Sequence, residues 1–115
     1  AIDILITFDK FGVSGHTNHC IINEIIKDPT FKKPSTLVVY ELITKNILRK
    51  YSFIFDIFLS LVLSFVNSNL IFINSPFDYL KALNAMFKHK SQLCWFRYLY
   101  LFSSSYLLIN NLKKL

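Results

Sequence analysis

The chain has 115 residues, of which 53% are hydrophobic, 17% aromatic and 17% charged, and 13 Lys and Arg against 7 Asp and Glu give a net charge of +6. This length allows one domain, and so apolar a composition excludes intrinsic disorder. Two glycines and three prolines exclude a collagen-like chain, and two cysteines exclude a disulfide framework.

The positive charge does not indicate a nucleic-acid partner. Basic residues are scattered along the sequence instead of forming a stripe, and the sequence has no RNA-reading motif. The excess of Phe, Ile, Asn, Lys and Tyr also follows from A/T-rich codons, so it carries no functional argument. We therefore predict no nucleic-acid binding.

The first part of the chain predicts a βαβ unit. Ile4 to Phe8 is a continuous run of β-favouring residues, which is typical of a strand covered on both faces in a parallel sheet. Thr17 to Lys27 has isoleucines at helical spacing and ends before Pro29. Thr36 to Ile43 predicts a second strand, so a crossover through the helix is expected to join two parallel strands.

Residues 53–66 form the most apolar segment, which could be a bilayer-spanning helix, a buried helix or an interfacial helix. A bilayer-spanning helix needs about 20 apolar residues. Asp56 interrupts this segment, and a carboxylate at the bilayer centre costs about 2.5–3.5 kcal/mol. A buried helix or an interfacial helix is therefore favoured over a spanning one. Leu70 to Ile73 then predicts a third strand.

The last third of the chain predicts one long carboxy-terminal helix. Ser75 is a capping residue, Pro76 suits the first helical position, and Asp78 lies in the first turn, where the helix dipole favours negative charge. The helix is expected to run to about Phe102. Residues 103–105 mark a break, and residues 106–115 are expected to form a tail.

The chemistry-bearing segment is DKFGVSGHTNH, residues 9–19, between the first strand and the first helix. Ligands bind at the carboxyl ends of strands in open α/β sheets. His16 and His19 are three residues apart on one helical face, and the helix N-terminus favours the neutral imidazole that a metal needs. A catalytic zinc usually takes three protein ligands. No spacing selects a third from Asp9, Cys20 and Glu24, so spacing alone does not distinguish a metal site from a chance pair.

Four segments carry a resemblance to a known family. They are TFDKFGVSGHTNH (7–19), NILRKY (46–51) with Asp56 beyond it, HKSQLCWFRYLY (89–100), and Tyr106 with Ile109 and Asn110. Together they resemble the N-acetylglucosaminyl-phosphatidylinositol de-N-acetylases, eukaryotic members of the LmbE-like zinc deacetylases. The resemblance covers nearly the whole chain, in order.

The resemblance implies a fold, a reaction and two residue roles. The fold is a Rossmann-like α/β domain, here an incomplete parallel sheet. The reaction removes the acetyl group of N-acetylglucosaminyl-phosphatidylinositol in glycosylphosphatidylinositol-anchor biosynthesis, on the cytoplasmic face of the endoplasmic reticulum membrane. His19 would be a zinc ligand. His16 would be catalytic, because it would lie beside the substrate carbonyl and stabilise the oxyanion.

The chain also departs from the family pattern. It has no match to the upstream His-Pro-Asp-Asp-type motif, which supplies the other two zinc ligands and the general base, nor to the usual amino-terminal membrane anchor. The chain starts at Ala1, close to a strand-like run, so we expect an upstream segment. Residues 1–115 are thus expected to be a single partial deacetylase domain, its carboxy-terminal part. Alone it is expected to lack tight zinc binding and activity, and to be poorly soluble because a sheet edge is uncovered.

Several further residues have both a functional and a purely structural interpretation. His89 is a substrate contact by resemblance, or a packed core histidine. Arg97 could bind the lipid phosphate through its guanidinium fork, or lie solvated or among lipid headgroups. Trp95 and its neighbouring tyrosines form an interfacial belt or part of the core. Cys20 is expected to be a small buried residue. The alternative function is a non-catalytic, membrane-associated module that binds lipid or a partner.

Overall fold

A computed structural model describes residues 2–115, so the prediction that concerns Ala1 lies outside the described residues. The strands are β1 (Ile4–Phe8), β2 (Val38–Leu42), β3 (Leu70–Ile73) and β4 (Ile109–Lys114). The α-helical segments are α1 (Gly12–Gly15), α2 (Thr17–Lys27), α3 (Ile47–Lys50), α4 (Phe55–Asn67), α5 (Pro76–Lys88) and α6 (Trp95–Ser103). Short 3₁₀ turns cover Lys90–Gln92 and Ser105–Leu107.

The strands of residues 2–115 form one sheet in the order β1-β2-β4-β3. β1 and β2 run parallel, with Ile4 opposite Val38 and Phe8 opposite Leu42, so the predicted βαβ unit is present. β4 runs antiparallel to both β2 and β3. The predicted α/β class, an incomplete Rossmann-like fold, is therefore confirmed, whereas the sheet is mixed and only partly parallel.

The expected tail, residues 106–115, is instead mostly strand β4 at the centre of this sheet. The prediction was wrong because Asn110, Asn111 and two terminal lysines hide the strand pattern. Ile109 and Leu112 are nevertheless buried. The Asn111 amide is also buried and donates to the Ser60 carbonyl at 3.2 Å, which satisfies part of its polarity inside the fold.

The long carboxy-terminal helix is divided into α5 and α6. Its predicted start is correct, since the Ser75 hydroxyl accepts a hydrogen bond from the Asp78 backbone N–H at 3.2 Å. The backbone leaves the helical region at His89 (ψ 60°) and is extended at Cys94 (ψ 160°). Helical backbone hydrogen bonds are lost there, so two shorter helices replace the predicted one.

Helix α4 buries its polar side and exposes its apolar side. Asp56, Ser60 and Ser64, at spacings of four, are buried, whereas Phe58 and Phe65 are 75% and 93% exposed. The buried side faces β4, which reverses the usual pattern of a surface helix. Within residues 2–115, no helix has both the length and the apolarity that crossing a membrane requires.

Strand β1 forms one edge of the sheet built by residues 2–115. Ile4 and Ile6 on this strand are 61% and 57% exposed. An edge with exposed apolar side chains is a template for further pairing or for aggregation. Poor solubility of the isolated chain therefore stays a prediction with a visible structural cause.

Candidate active site

The Asp9 carboxylate organises the crevice at the carboxyl ends of β1 and β2. It accepts hydrogen bonds from the backbone N–H groups of Phe11 and Gly12, both at 3.1 Å. It also accepts from the backbone N–H of Thr44 at 2.7 Å and from the Thr44 hydroxyl at 2.5 Å. One buried carboxylate thus joins the turn after β1 to the segment after β2.

The turn that follows Asp9 requires its glycine. Gly12 has φ +57°, and a Cβ there would lie 2.9 Å from the His19 Cβ and 3.0 Å from the Cys20 sulfur. Val13 also has a positive φ, 67°, which is strained for a β-branched residue. A hydrogen bond from the Val13 backbone N–H to the Thr44 hydroxyl, at 2.9 Å, stabilises this conformation.

His19, on α2, is held in one orientation and one tautomer. Its Nδ1 lies 3.0 Å from the Gly12 carbonyl oxygen. A carbonyl only accepts, so Nδ1 carries a proton, and in the neutral ring the lone pair is then on Nε2. The ring also stacks on Phe8, with centroids 3.9 Å apart and planes 8° apart. A histidine ligand to a metal characteristically donates its other N–H to a backbone carbonyl in this way.

His16 lies beside His19, and their ring centroids are 5.3 Å apart at an interplanar angle of 71°. His16 is exposed, and it caps the start of α2 without a side-chain capping hydrogen bond. The two imidazoles predicted to act together are therefore neighbours at the start of α2. Their separate roles stay predictions.

A cavity of about 670 Å³ opens beside this turn, between the segment after β1 and the segment after β2. Its lining consists of Phe11, Val13, Ser14, Gly15, Thr44, Lys45, Asn46, Ile47, Lys50 and Tyr51. The two histidines are outside this lining, although Gly15 directly precedes His16. The volume is in the range of small-molecule binding sites.

A buried ion cluster supports the far wall of the cavity. Lys45 Nζ lies 2.7 Å from one Asp56 carboxylate oxygen, and Arg49 Nε lies 2.7 Å from the other. The Lys45 and Asp56 side chains are 1% and 0% exposed. Burial opposes ionisation of Asp56, but the hydrogen bonds and charges of Lys45 and Arg49 outweigh it, so the pKa of Asp56 lies below 3.8.

The same cluster ties the cavity wall to the last strand. The Tyr106 hydroxyl accepts a hydrogen bond from the Lys45 backbone N–H at 2.6 Å. Lys45 Nζ also donates to the Ile109 carbonyl at 2.6 Å and to the Ser105 hydroxyl at 3.1 Å. Sequence reasoning missed Lys45 and Thr44. The available signal was Asp56, a carboxylate within an otherwise apolar helix that required a buried cationic partner.

The remaining predicted residues lie elsewhere. His89 is exposed at the end of α5 and Arg97 is half-buried on α6, and neither lines the cavity beside the histidine turn. The packed-core interpretation of His89 is wrong because the residue is exposed. Trp95 is 81% exposed, so it too is outside the core. Cys20 is a half-buried free thiol, and the substrate roles of His89 and Arg97 stay predictions.

Across residues 2–115, no three side chains of the His, Cys, Asp or Glu type come together as a metal-binding group. The described chain therefore offers a pair of imidazoles, of which His19 has the geometry of a ligand.

Relatives of the chain were found among curated proteins. It is 38% identical over 113 residues to the N-acetylglucosaminyl-phosphatidylinositol de-N-acetylase of Bos taurus, covering 96% of this chain and 44% of the relative. It is 36% identical over 138 residues to the probable enzyme of that name from Dictyostelium discoideum, covering 96% of this chain and 54% of the relative. It is 37% identical over 116 residues to the probable enzyme of that name from Schizosaccharomyces pombe, covering 98% of this chain and 46% of the relative.

No protein-family model matches the chain, and no solved structure matches it significantly. The fold and the crevice define an α/β domain with paired imidazoles at the carboxyl ends of two parallel strands. The relatives confirm the predicted relationship. The chain belongs to the N-acetylglucosaminyl-phosphatidylinositol de-N-acetylase family. It spans about half the length of the curated relatives that it matches.

Proposed function

We propose that this chain is the carboxy-terminal part of a hydrolase that removes the acetyl group from N-acetylglucosaminyl-phosphatidylinositol. The observation that carries the proposal is the His16–His19 pair, 5.3 Å apart, with the His19 Nδ1 hydrogen-bonded to the Gly12 carbonyl. The names of the relatives supply the reaction class and the substrate. The whole enzyme would need the remaining half of the family's length.

The residues present fit a zinc ion in part. His19 would hold the metal through Nε2, because its Nδ1 proton is donated to a backbone carbonyl. When bound, zinc would supply Lewis acidity toward the amide carbonyl and would lower the pKa of water. The other ligands and the general base would come from the part of the protein beyond this chain. This division explains why one half alone is expected to bind zinc weakly.

His16 would act on the substrate amide from the side of the crevice. Its ring is exposed beside His19, where a donated N–H can reach an oxygen that gains negative charge during attack on the carbonyl. One such donor is worth about 2.7–4 kcal/mol of transition-state stabilisation. The acetate and the free amine of the glucosamine are the products of this hydrolysis.

We further propose that the protein acts at the cytoplasmic face of the endoplasmic reticulum membrane, where the family's glycolipid substrate is expected. Trp95 and Phe96 on α6 are 81% and 51% exposed, which favours contact with a lipid surface. The same exposed residues support the second candidate function, a membrane-associated module without catalysis.

A chimaera tests the enzymatic proposal. In it, residues 2–115 replace the homologous region of the Bos taurus relative, and acetate release from N-acetylglucosaminyl-phosphatidylinositol is measured. The chimaera should be active. His16→Ala should reduce the rate by about 10²–10³-fold, and His19→Ala should reduce both the rate and the bound zinc.

Lys33→Gln is the matched control, because Lys33 is exposed and does not line the cavity. It should leave acetate release unchanged. A folded, zinc-loaded chimaera that releases no acetate would overturn the enzymatic proposal and favour the module. Circular dichroism and metal analysis establish folding and loading before the rates are compared.

A further inference from the structure

Two lysines line the cavity beside the histidine turn, and they differ in their surroundings. Lys45 is fully buried, and Asp56 neutralises its charge at 2.7 Å. Lys50 is half-buried and forms no ion pair with any residue of 2–115. Lys50 is therefore the cavity residue whose positive charge is left uncompensated by the described part of the chain.

Aromatic rings hold the Lys50 ammonium in place. Its Nζ lies 5.4 Å from the centroid of the Tyr51 ring and 5.7 Å from that of Tyr100. Burial raises the pKa of Tyr100, so that ring stays un-ionised at neutral pH and does not neutralise the lysine. Ring faces attract a cation without supplying a negative charge. The ammonium is thus positioned and remains available to an anion.

Neighbouring groups extend this site. The Asn46 side-chain oxygen Oδ1 accepts a hydrogen bond from the Arg49 backbone N–H at 2.9 Å, which fixes the Asn46 side chain at the start of α3. Its amide N–H₂ makes no hydrogen bond to another residue of 2–115 and is exposed at the cavity. One uncompensated cation, the Asn46 amide and the lining hydroxyls of Ser14 and Tyr51 suit a singly charged anion with hydrogen-bond acceptors.

We propose that this cavity binds the phosphodiester of an inositol phospholipid headgroup, and that the Lys50 ammonium contacts the negatively charged phosphate. The proposal rests on the proposed function, because the family's substrate name contains phosphatidylinositol. A phosphodiester carries one negative charge and several acceptor oxygens, and a lysine contacts it as a point charge. Gly15 lines the cavity and precedes His16, so a bound headgroup would direct the attached sugar toward the histidine pair.

Vesicle binding tests this site without requiring hydrolysis. The chain is sedimented with phosphatidylcholine vesicles that contain or lack phosphatidylinositol. Phosphatidylinositol should increase binding, and Lys50→Gln should weaken this increment by about tenfold, the loss expected for one charge-assisted contact. Lys50→Arg keeps the charge and should keep most of the binding. Lys33→Gln removes an equal charge from an exposed site outside the cavity and should behave like the parent.

Soluble glycerophosphoinositol carries the same phosphodiester without acyl chains, so it should displace the chain from the vesicles. Equal effects of Lys50→Gln and Lys33→Gln would overturn the site and indicate general attraction to a charged surface. No displacement by glycerophosphoinositol would overturn it as well. His19→Ala should keep vesicle binding while the chimaera that carries it loses acetate release, so failure of the phosphate site and failure of the enzymatic proposal give different results.

Discussion

Asp9 and Thr44 lie 35 positions apart in the sequence, and two hydrogen bonds join them where parallel strands β1 and β2 end. The Asp9 carboxylate accepts both the backbone N–H and the hydroxyl of Thr44. This pairing fixes the turn that places His19 against the Gly12 carbonyl, because the same carboxylate also binds the Gly12 backbone N–H. The geometry of the candidate site therefore depends on a contact between two separate loops.

Removing the charge of Asp9 should loosen both loops at once. Asp9→Asn replaces one acceptor oxygen by a donor that faces N–H groups, so it should lower the free energy of unfolding by about 1–3 kcal/mol. Urea denaturation measures this change. Asp3→Asn is the control, since Asp3 is exposed, and it should be nearly neutral. Equal stability of the two variants would contradict the assigned role of Asp9.

Removing only one charge of the buried ion cluster should lower the stability of the chain substantially. Asp56→Ala leaves Lys45 buried without its partner and should cost about 3–5 kcal/mol, as measured by denaturation. The double variant Lys45→Met/Asp56→Leu should recover part of this loss, because no fully buried charge is left unpaired. Arg49 also loses its partner, but its side chain is 18% exposed and reaches solvent. Additive losses in the double variant would show that the two side chains do not interact.

The same cluster predicts an acid-dependent stability. The pKa of Asp56 is lower in the folded chain than its ordinary value of 3.8, so the folded state binds this proton more weakly than the unfolded state. The stabilisation is fully present above pH 3.8 and is lost as the pH falls through the folded-state pKa. Comparing the parent with Asp56→Asn between about pH 6 and pH 3 should show a stability difference that shrinks only at the acid end.

The two glycines of the histidine turn should respond differently to alanine. A Cβ on Gly12 would lie 2.9 Å from the His19 Cβ, whereas a Cβ on Gly15 would meet nothing within 4 Å. Both positions have positive φ, which costs alanine about 1–2 kcal/mol. Gly12→Ala should therefore destabilise the chain more and also shift the NMR signals of the His19 ring. Equal effects at both glycines would contradict this close approach.

Zinc titration of the isolated chain should reveal no tightly bound ion, since residues 2–115 bring together no group of three ligand-type side chains. Isothermal calorimetry provides the measurement. One tightly bound zinc, lost in His19→Ala and kept in His89→Ala, would disprove the expectation that this half of the site is insufficient.

Substitution of the exposed aromatic pair should separate lipid contact from folding. Trp95→Ser together with Phe96→Ser should release the chain from vesicles and change the free energy of unfolding by only about 0.5 kcal/mol, because both side chains are largely solvent-exposed. Vesicle sedimentation and urea denaturation report the two effects. A large loss of stability would show that these residues pack inside the protein.

Local sequence patterns were sufficient to predict most of the individual helices and strands. Strand β1, helix α2 and strand β3 have the predicted bounds, because a run of β-favouring residues and a helical repeat of isoleucines are properties of neighbouring residues. The break at His89–Cys94 was missed because Met86, Leu93 and Phe96 keep a helical spacing across it. Strand β4 was missed because its polar residues interrupt the hydrophobic pattern, and the contact of the Asn111 amide with Ser60, 51 positions away, is visible only in the tertiary structure.

The sequence by itself determined the family relationship, the βαβ start and the candidate pair His16 and His19, since these depend on residue type and short spacing. Only the tertiary structure decided the position of β4 within the sheet, the burial of the polar side of α4, and the protonated nitrogen of His19. It also revealed the contacts of Asp9 with Thr44 and of Lys45 with Asp56. These features are set by burial and by hydrogen bonds between residues separated by at least seven positions, which sequence periodicity does not encode.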